Sequence, residues 1–305
     1  MPKNHLEVDS IKRKHRRLLL IISVGLFFSI GICSLVFFAR QPVLLVTDFS
    51  FAAIYGENRL RIQVMRSSLA LFRRILPVIV IDGASDDVVL FAVNEASKRP
   101  FSVIFPLRFA SAARLFQSHH PEVPAIILEG RNIVDIDHIA PRGDFFRYRT
   151  DTEADFYRAG RFAAILAGEN DGNFAVFLNE HFRDNERTAF RQALAGFDGA
   201  MDVQFFHSID GIADFSVFSS VVLAGAGADL FLRNPDIPII FFSWVDPEIT
   251  PNEVVVIFND SPLAQAVQAV RMAASGERDG KIASKTLILS ARIADKSILR
   301  MLRRQ

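Results

Sequence analysis

The chain has 305 residues, 50% of them hydrophobic and 23% charged, with a formal net charge of +1. Its single cysteine, Cys33, excludes an intramolecular disulfide and leaves the redox compartment open. Six Lys or Arg against two acids make residues 1–17 a +4 tail and leave −3 for the rest, which argues against a nucleic-acid surface or a polybasic membrane face.

In chain order, residues 12–17 read KRKHRR and residues 18–39 carry no charge. About 22 residues at 1.5 Å each span roughly 33 Å, enough to cross a bilayer core. By the positive-inside tendency, 1–17 is a cytoplasmic basic tail, 18–39 a single-pass anchor in the cytoplasmic (inner) membrane, and the remainder extracytoplasmic. A cleaved signal peptide has an apolar core of only about 7–15 residues, and Phe37 stands where a cut after Ala39 needs a small side chain. Lipidation of Cys33 is opposed by the bulky Ile32 before it and by the apolar sequence beyond. A buried core helix would carry a polar stripe, which this segment lacks.

Short apolar runs then alternate with amphipathic ones, the pattern of βαβ units. Strands are predicted at 43–47, 78–82, 101–105 and 125–129, with helices at 57–75 (stopped by Pro77), 86–98 and 108–117 between them. Right-handed crossovers place these strands in one parallel sheet. A polar interval with Asp135, Asp137, Pro141 and Gly143 follows, and the pattern restarts. The second series has strands at 145–150, 174–179, 201–206, 219–224, 238–243, 254–258 and 286–290. Its helices fall at 152–168 (capped by Asp151 or Thr152), 183–195, near Asp229, and at 262–275. The fold class is therefore α/β, two doubly wound parallel-sheet lobes behind one N-terminal helix. The expected division is 42–147 plus about 247–282 for the first lobe and 148–246 plus about 283–305 for the second, with hinge strands near 146–150, 243–247 and 281–285.

In open α/β sheets a ligand sits beyond the carboxyl ends of the strands. Those positions give Asp48, Phe49, Asp82, Phe105, Arg131, Asn179, Gly225, Gly227, Trp244 and Asp246 as ligand-binding candidates, with Arg108, Glu129 and Arg149 at equivalent places. Strand ends also carry polar residues for ordinary reasons such as helix capping. With 29 Phe against three Tyr and one Trp, most phenylalanines must fill the two cores, while Phe49 and Phe105 have the position to stack on a planar ligand. The arginine-rich helix around Arg59, Arg61, Arg66, Arg73 and Arg74 reads as a solvated face or as a docking face for a membrane partner.

The run DFYRAGRFAAILAG at 155–168, followed by GNFAVFLN, FRQALAGFDGA, VVLAGAGADLF, PIIFFSWVD and VVVIFNDSPLAQAVQAV, resembles the type I periplasmic solute-binding proteins. Within them it is most similar to the basic membrane lipoprotein family, which includes purine-nucleoside receptors. The resemblance covers mainly 151–275; the first lobe matches only in its alternation of strands and helices. It implies an extracytoplasmic module that closes on a small molecule, nucleoside-like or another polar solute, and delivers it to an ABC permease or a membrane sensor. It also implies backbone amides at Gly225 and Gly227 facing the cleft, Asp246 as the acid that bonds a polar edge or sugar, and Trp244 or Phe49 as a stacking face. Two features depart from the family: a membrane span replaces its lipid-carrying cysteine, and its D-x-x-x-N-type signature after the first strand is absent.

Other motifs point elsewhere with less force. GAGAD at 225–229 lacks the third glycine and the later acid of a dinucleotide fingerprint and reads as a tight turn. DIDH at 135–138 has the D-x-D form of a metal site in a membrane-anchored glycosyltransferase, but lies in a Pro- and Gly-bounded loop. His119 and His120 point apart before Pro121 and read as a helix terminus. There is no G-x-S-x-G, H-E-x-x-H or P-loop. The expectation is a binding protein and not an enzyme, with no cofactor, metal or nucleic acid. A subunit that keeps the fold without a ligand is the alternative, and the glycosyltransferase a second.

Overall fold

The structure, a computed structural model, describes residues 22–29, 31–131, 145–168, 172–179, 182, 184–210, 212, 214–230 and 236–304. The helix α1, Ile22–Ala39, has a mean hydropathy of 2.3 and none of it is buried, so it is long and apolar enough to cross a membrane. Only Arg40, Gln41 and Pro42 separate it from β1 (Val43–Asp48), whose six residues are all buried. Next come α2 (Phe49–Tyr55), α3 (Glu57–Leu71), β2 (Ile75–Val80), α4 (Asp86–Ala96), β3 (Ser102–Pro106), α5 (Ala110–His119), β4 (Ala125–Gly130) and β5 (Phe146–Thr150). The chain continues through α6 (Thr152–Ala167), β6 (Gly172–Leu178), α7 (Asp184–Leu194), β7 (Met201–Phe206), β8 (Ser220–Ala224), β9 (Ile239–Phe242) and β10 (Val254–Asn259). It ends with α8 (Pro262–Ala274), β11 (Asp279–Ile282), β12 (Lys285–Ile288) and α9 (Lys296–Leu302).

These strands form two six-stranded sheets, β11-β5-β4-β3-β1-β2 and β12-β10-β9-β8-β6-β7. Every pairing is parallel except β10 with β12. Period-two alternation in β1 sends Leu44 and Val46 to a core with α4 and α5, and Val43 and Leu45 to a core with α2, α3 and α8. The first sheet is thus covered on both faces, as the buried central strands β1 and β3 require. In the second lobe α6, α7 and α9 cover one face, and Ile209, Phe215, Phe218 and Ile237 from irregular segments pack the other. The two-lobe α/β class expected from the sequence is the fold that forms.

Several boundaries differ. Phe145–Thr150, read as the opening of the second repeat, supplies the fifth strand of the first sheet, and Val254–Asn259 pairs with β9 inside the second. By strand pairing the first lobe is 43–150 plus 262–282 and the second 152–259 plus 285–304. Alternation identifies a strand but carries no information about which sheet it joins. The chain crosses between sheets at 150–152, 259–262 and 282–285. The segment 243–247 is no crossing, because β9 and β10 are neighbours. The helix α3 ends at Leu71 and not at residue 75. Phe72 adopts φ 50° and donates its N–H to Leu69 O and Ser68 O, a left-handed C-cap. Pro77 lies inside β2, an edge strand, where a missing N–H can face the open side. Of the helix expected near Asp229, the described residues show a turn at 228–229 that leads into a helical Leu230, while residues 231–235, like DIDH at 135–138, lie outside them.

Candidate functional site

The carboxyl ends of both sheets face each other across a cleft of about 400 Å³. From the first lobe, the turn after β3 brings Arg108, and the end of β4 brings Glu129, Gly130 and Arg131. The register of β4 against β5 shifts between Leu128 and Gly130, so Glu129 is the extra residue of a bulge that re-aims this strand end. From the second lobe come Asn179 after β6, Gly225 after β8, and Phe242 to Trp244 at the end of β9; Phe182 completes that wall. Asp260 and Gln265 enter from the second crossing.

Most of the polar groups are held by protein partners. Glu129 Oε1 accepts from Arg147 Nε and Nη2 at 2.7 Å each. Arg131 reaches from the first lobe into the second, donating from Nη2 to Phe258 O at 2.9 Å and to Ser284 Oγ at 3.2 Å. Its guanidinium lies 4.9 Å from the centre of the Phe242 ring. Its Nε is 3.4 Å from Asp260 Oδ2, an ion-pair distance without hydrogen-bond alignment, so charge and not a directed bond joins them. Gly225 has φ 90°, and a Cβ there would stand 2.6 Å from Asn179 Nδ2, so only glycine lets that amide lie against the turn.

Gln265, 2% exposed in the first turns of α8, sits where the crossings converge. Its Nε2 donates to Thr150 Oγ1 at 3.0 Å and Ile282 O at 3.5 Å, while its buried Oε1 has no protein partner. Asp151 N donates to Ile282 O at 2.9 Å, tying the first crossing to the third. Asp155, fully buried on α6, accepts from Ser284 N at 2.9 Å, from Ser284 Oγ, and from Arg158 Nη2 at 2.5 Å. Burial pushes its pKa up, against the opposing pull of Ser284, Arg131 and Arg158.

Of the residues expected at a site, Arg131, Asn179, Gly225 and Trp244 line the cleft, as do Arg108 and Glu129. Trp244 does more than face it. The loop after β9 carries this side chain against the first-lobe core, with ring centroids 4.9 Å from Phe51 and 6.5 Å from Tyr55. Arg59 Nη1 donates to Trp244 O at 3.3 Å and Val245 O at 2.7 Å, fastening the loop to the first lobe.

The other expected residues serve elsewhere. Asp48 is buried, caps α2 through Phe51 N at 2.8 Å and pairs with Arg108 at 2.8 Å, so it orients a cleft residue without lining the cleft. Phe49 is 56% exposed outside it. Asp82 accepts from Ser50 N at 3.0 Å and Ser50 Oγ at 2.7 Å, stapling the end of β2 to α2, and these bonds hold its carboxyl below the ordinary range. Phe105 is fully buried in the core beside Phe116. Gly227 packs against the Phe177 ring. Asp246 accepts from Glu248 N at 2.8 Å and lines a separate groove of about 600 Å³ with Arg59, Arg66 and Lys285. Burial, with Arg66 and Arg59 nearby, pushes the Lys285 pKa down.

Asp260 was missed although it follows a strand end, and Gln265 because nothing in SPLAQ marks a helix start as a meeting point of three crossings. Among the described residues there is no group of three His, Cys, Asp or Glu side chains placed to hold a metal.

No family model and no curated protein matches the chain. Solved structures do. An ABC transporter periplasmic solute-binding protein from Actinobacillus succinogenes 130z with bound D-allose matches with a TM-score of 0.49 and 12% identity, over 83% of this chain and 99% of its own. An ABC transporter solute-binding protein from Agrobacterium vitis with α-D-tagatopyranose gives 0.47 and 14%, over 86% and 99%. A LacI transcriptional regulator from a Rhodococcus species gives 0.47 and 13%, over 82% and 96%.

Proposed function

We propose that this chain is a membrane-tethered extracytoplasmic solute-binding module that closes its two lobes on a small polar ligand for an ABC permease or a sensor in the same membrane. The observation that carries the reading is the cleft between the carboxyl ends of two mostly parallel sheets, between which the chain passes in three short crossings. Its volume lies within the roughly 300–1,000 Å³ of small-molecule sites. Apolar rings of Phe51, Phe182, Phe242 and Trp244 stand beside Arg108, Asn179 and the unpartnered Gln265 Oε1. That mixture suits a solute with one apolar face and several hydroxyl or N–H groups, such as a nucleoside or a sugar. Binding energy would go into selecting the closed form rather than into bond-making.

The tether rests on α1 and on the KRKHRR run before it, which favours an inward N-terminus. Thermal unfolding of the detergent-solubilised full chain, titrated with nucleosides, pentoses, hexoses and amino acids, tests the reading. A ligand at 100 times its Kd should stabilise by about 2.7 kcal/mol, and no shift with any class would sink it.

A second reading is a structural or regulatory subunit without a ligand. It is favoured by the bonds from Arg131 to Phe258 O and from Arg59 to the Trp244 loop, which join the lobes with protein groups alone. It predicts no thermal shift together with undiminished co-purification of a membrane partner.

A further inference from the structure

The outer end of α1 does not stand free of the first lobe. The strand β1 leads away from it, and since β2 lies parallel to β1, the connecting α3 must run back and deliver residues 72–74 beside the start of β1. Val43 N donates to Arg74 O at 2.8 Å, and Arg73 Nη1 to Gln41 O at 3.3 Å. The Phe37 ring of α1 lies 5.8 Å from that of Phe72. The Arg40 guanidinium sits 5.0 Å from the Phe72 ring centre, and that of Arg74 sits 5.8 Å from Phe38. Three arginines therefore ring the point where α1 enters the lobe.

The Arg73 guanidinium also lies 3.8 Å from the centre of the Phe101 ring, so the contacts of the three arginines within the fold are with rings and a carbonyl, not with opposite charge. Among the described residues no carboxylate forms an ion pair with Arg40, Arg73 or Arg74, and the buried Arg74 Nε has no hydrogen-bond partner. Phe72 is the only described non-glycine residue with positive φ. Glycine or asparagine would cap α3 with less strain. The turn instead holds out a 37% exposed aromatic ring, and Leu69 and Met65 extend the apolar stripe up α3.

We propose that Arg40, Arg73 and Arg74 form a collar that binds the phosphates of anionic phospholipids in the outer leaflet, with Phe72 seated among the headgroups. The inference rests on the tethered reading, which puts this collar at the bilayer surface. Guanidinium forks match phosphate oxygens in pairs. Aromatic rings favour the same interfacial depth. Arginines flanking a span on the outer side run against the usual charge bias, and anionic headgroups supply their counter-charge.

The experiment uses the full chain in bilayers of phosphatidylcholine alone or mixed with phosphatidylglycerol. Carbonate-resistant sedimentation with membranes is scored first, and loss of the chain to the supernatant overturns the tether and the collar with it. With the chain retained, phosphatidylglycerol should slow amide exchange at 69–74 and co-purify with the protein. Arg40→Gln should lower that lipid retention about fivefold, and the triple Arg-to-Gln variant by more. Phe72→Asn should keep the turn and lose part of the protection. Equal exchange in both bilayers, unchanged retention in folded Arg40→Gln, or the same protection from inorganic phosphate in phosphatidylcholine would overturn the collar alone.

Discussion

Asp155 concentrates the electrostatic stakes of the hinge in one carboxyl group. It is fully buried, and its bonds to Ser284 and Arg158 connect α6 to the third crossing. Burial raises its pKa above the ordinary 3.8, so the folded state holds the proton more firmly than the unfolded chain. Its contribution is therefore full below that ordinary value and lost as pH rises through the folded value. Asp155→Asn should remove this slope: comparing Tm between about pH 4 and 7, the wild type should gain on the variant as pH falls. A pH-independent difference would contradict the raised pKa.

The same scale shows what single residues reveal in advance. Arg131 and Asn179 line the cleft because polar side chains just beyond parallel strands tend to converge. Asp48, Asp82 and Phe105 met the same rule and proved to be a cap, a staple and core, since sequence position gives no direction to a side chain.

Among elements, α6 and α7 depend on close approach. A Cβ on Gly160 would lie 2.7 Å from Phe190 O and 2.8 Å from Ala193 Cβ, so backbone and not a flexible side chain blocks it. Alanine would gain about 1 kcal/mol in helix propensity but force the helices apart at a cost of about 1–3 kcal/mol or more. Gly160→Ala should come out destabilised by about 1 kcal/mol in urea unfolding, and a stabilised variant would refute the tight packing. Most elements were legible because hydrophobic period and turn residues act locally. The sheet membership of β5 and β10 was not, because partner choice is set by crossings that no local pattern encodes. Pro77 misled in the same way: proline excludes helix and central strand but leaves an edge strand open.

For the whole molecule, the Trp244 loop should limit how freely the lobes move. It belongs to the second lobe yet buries its ring against Phe51 and Tyr55 of the first. Trp244→Ala should lower stability by about 2 kcal/mol, less than a fully buried tryptophan because the ring also faces the cleft. It should also raise the radius of gyration in small-angle scattering. Destabilisation with an unchanged radius would mean that the ring packs without restraining the lobes.

The three-residue link before β1 has a mechanical consequence. Phe101 N bonds Pro42 O and Arg73 bonds Gln41 O, so α1 and the first lobe form a fixed base and the second lobe is the lever. The strand β7 is the edge opposite β12, five strand spacings or about 24 Å away. A rotation of about 15° about the β12 side would carry β7 through about 6 Å, while residues at the crossings scarcely move. On the proposed closing motion, the far edge at Met201–Phe206, and not the cleft rim, would make the longest stroke.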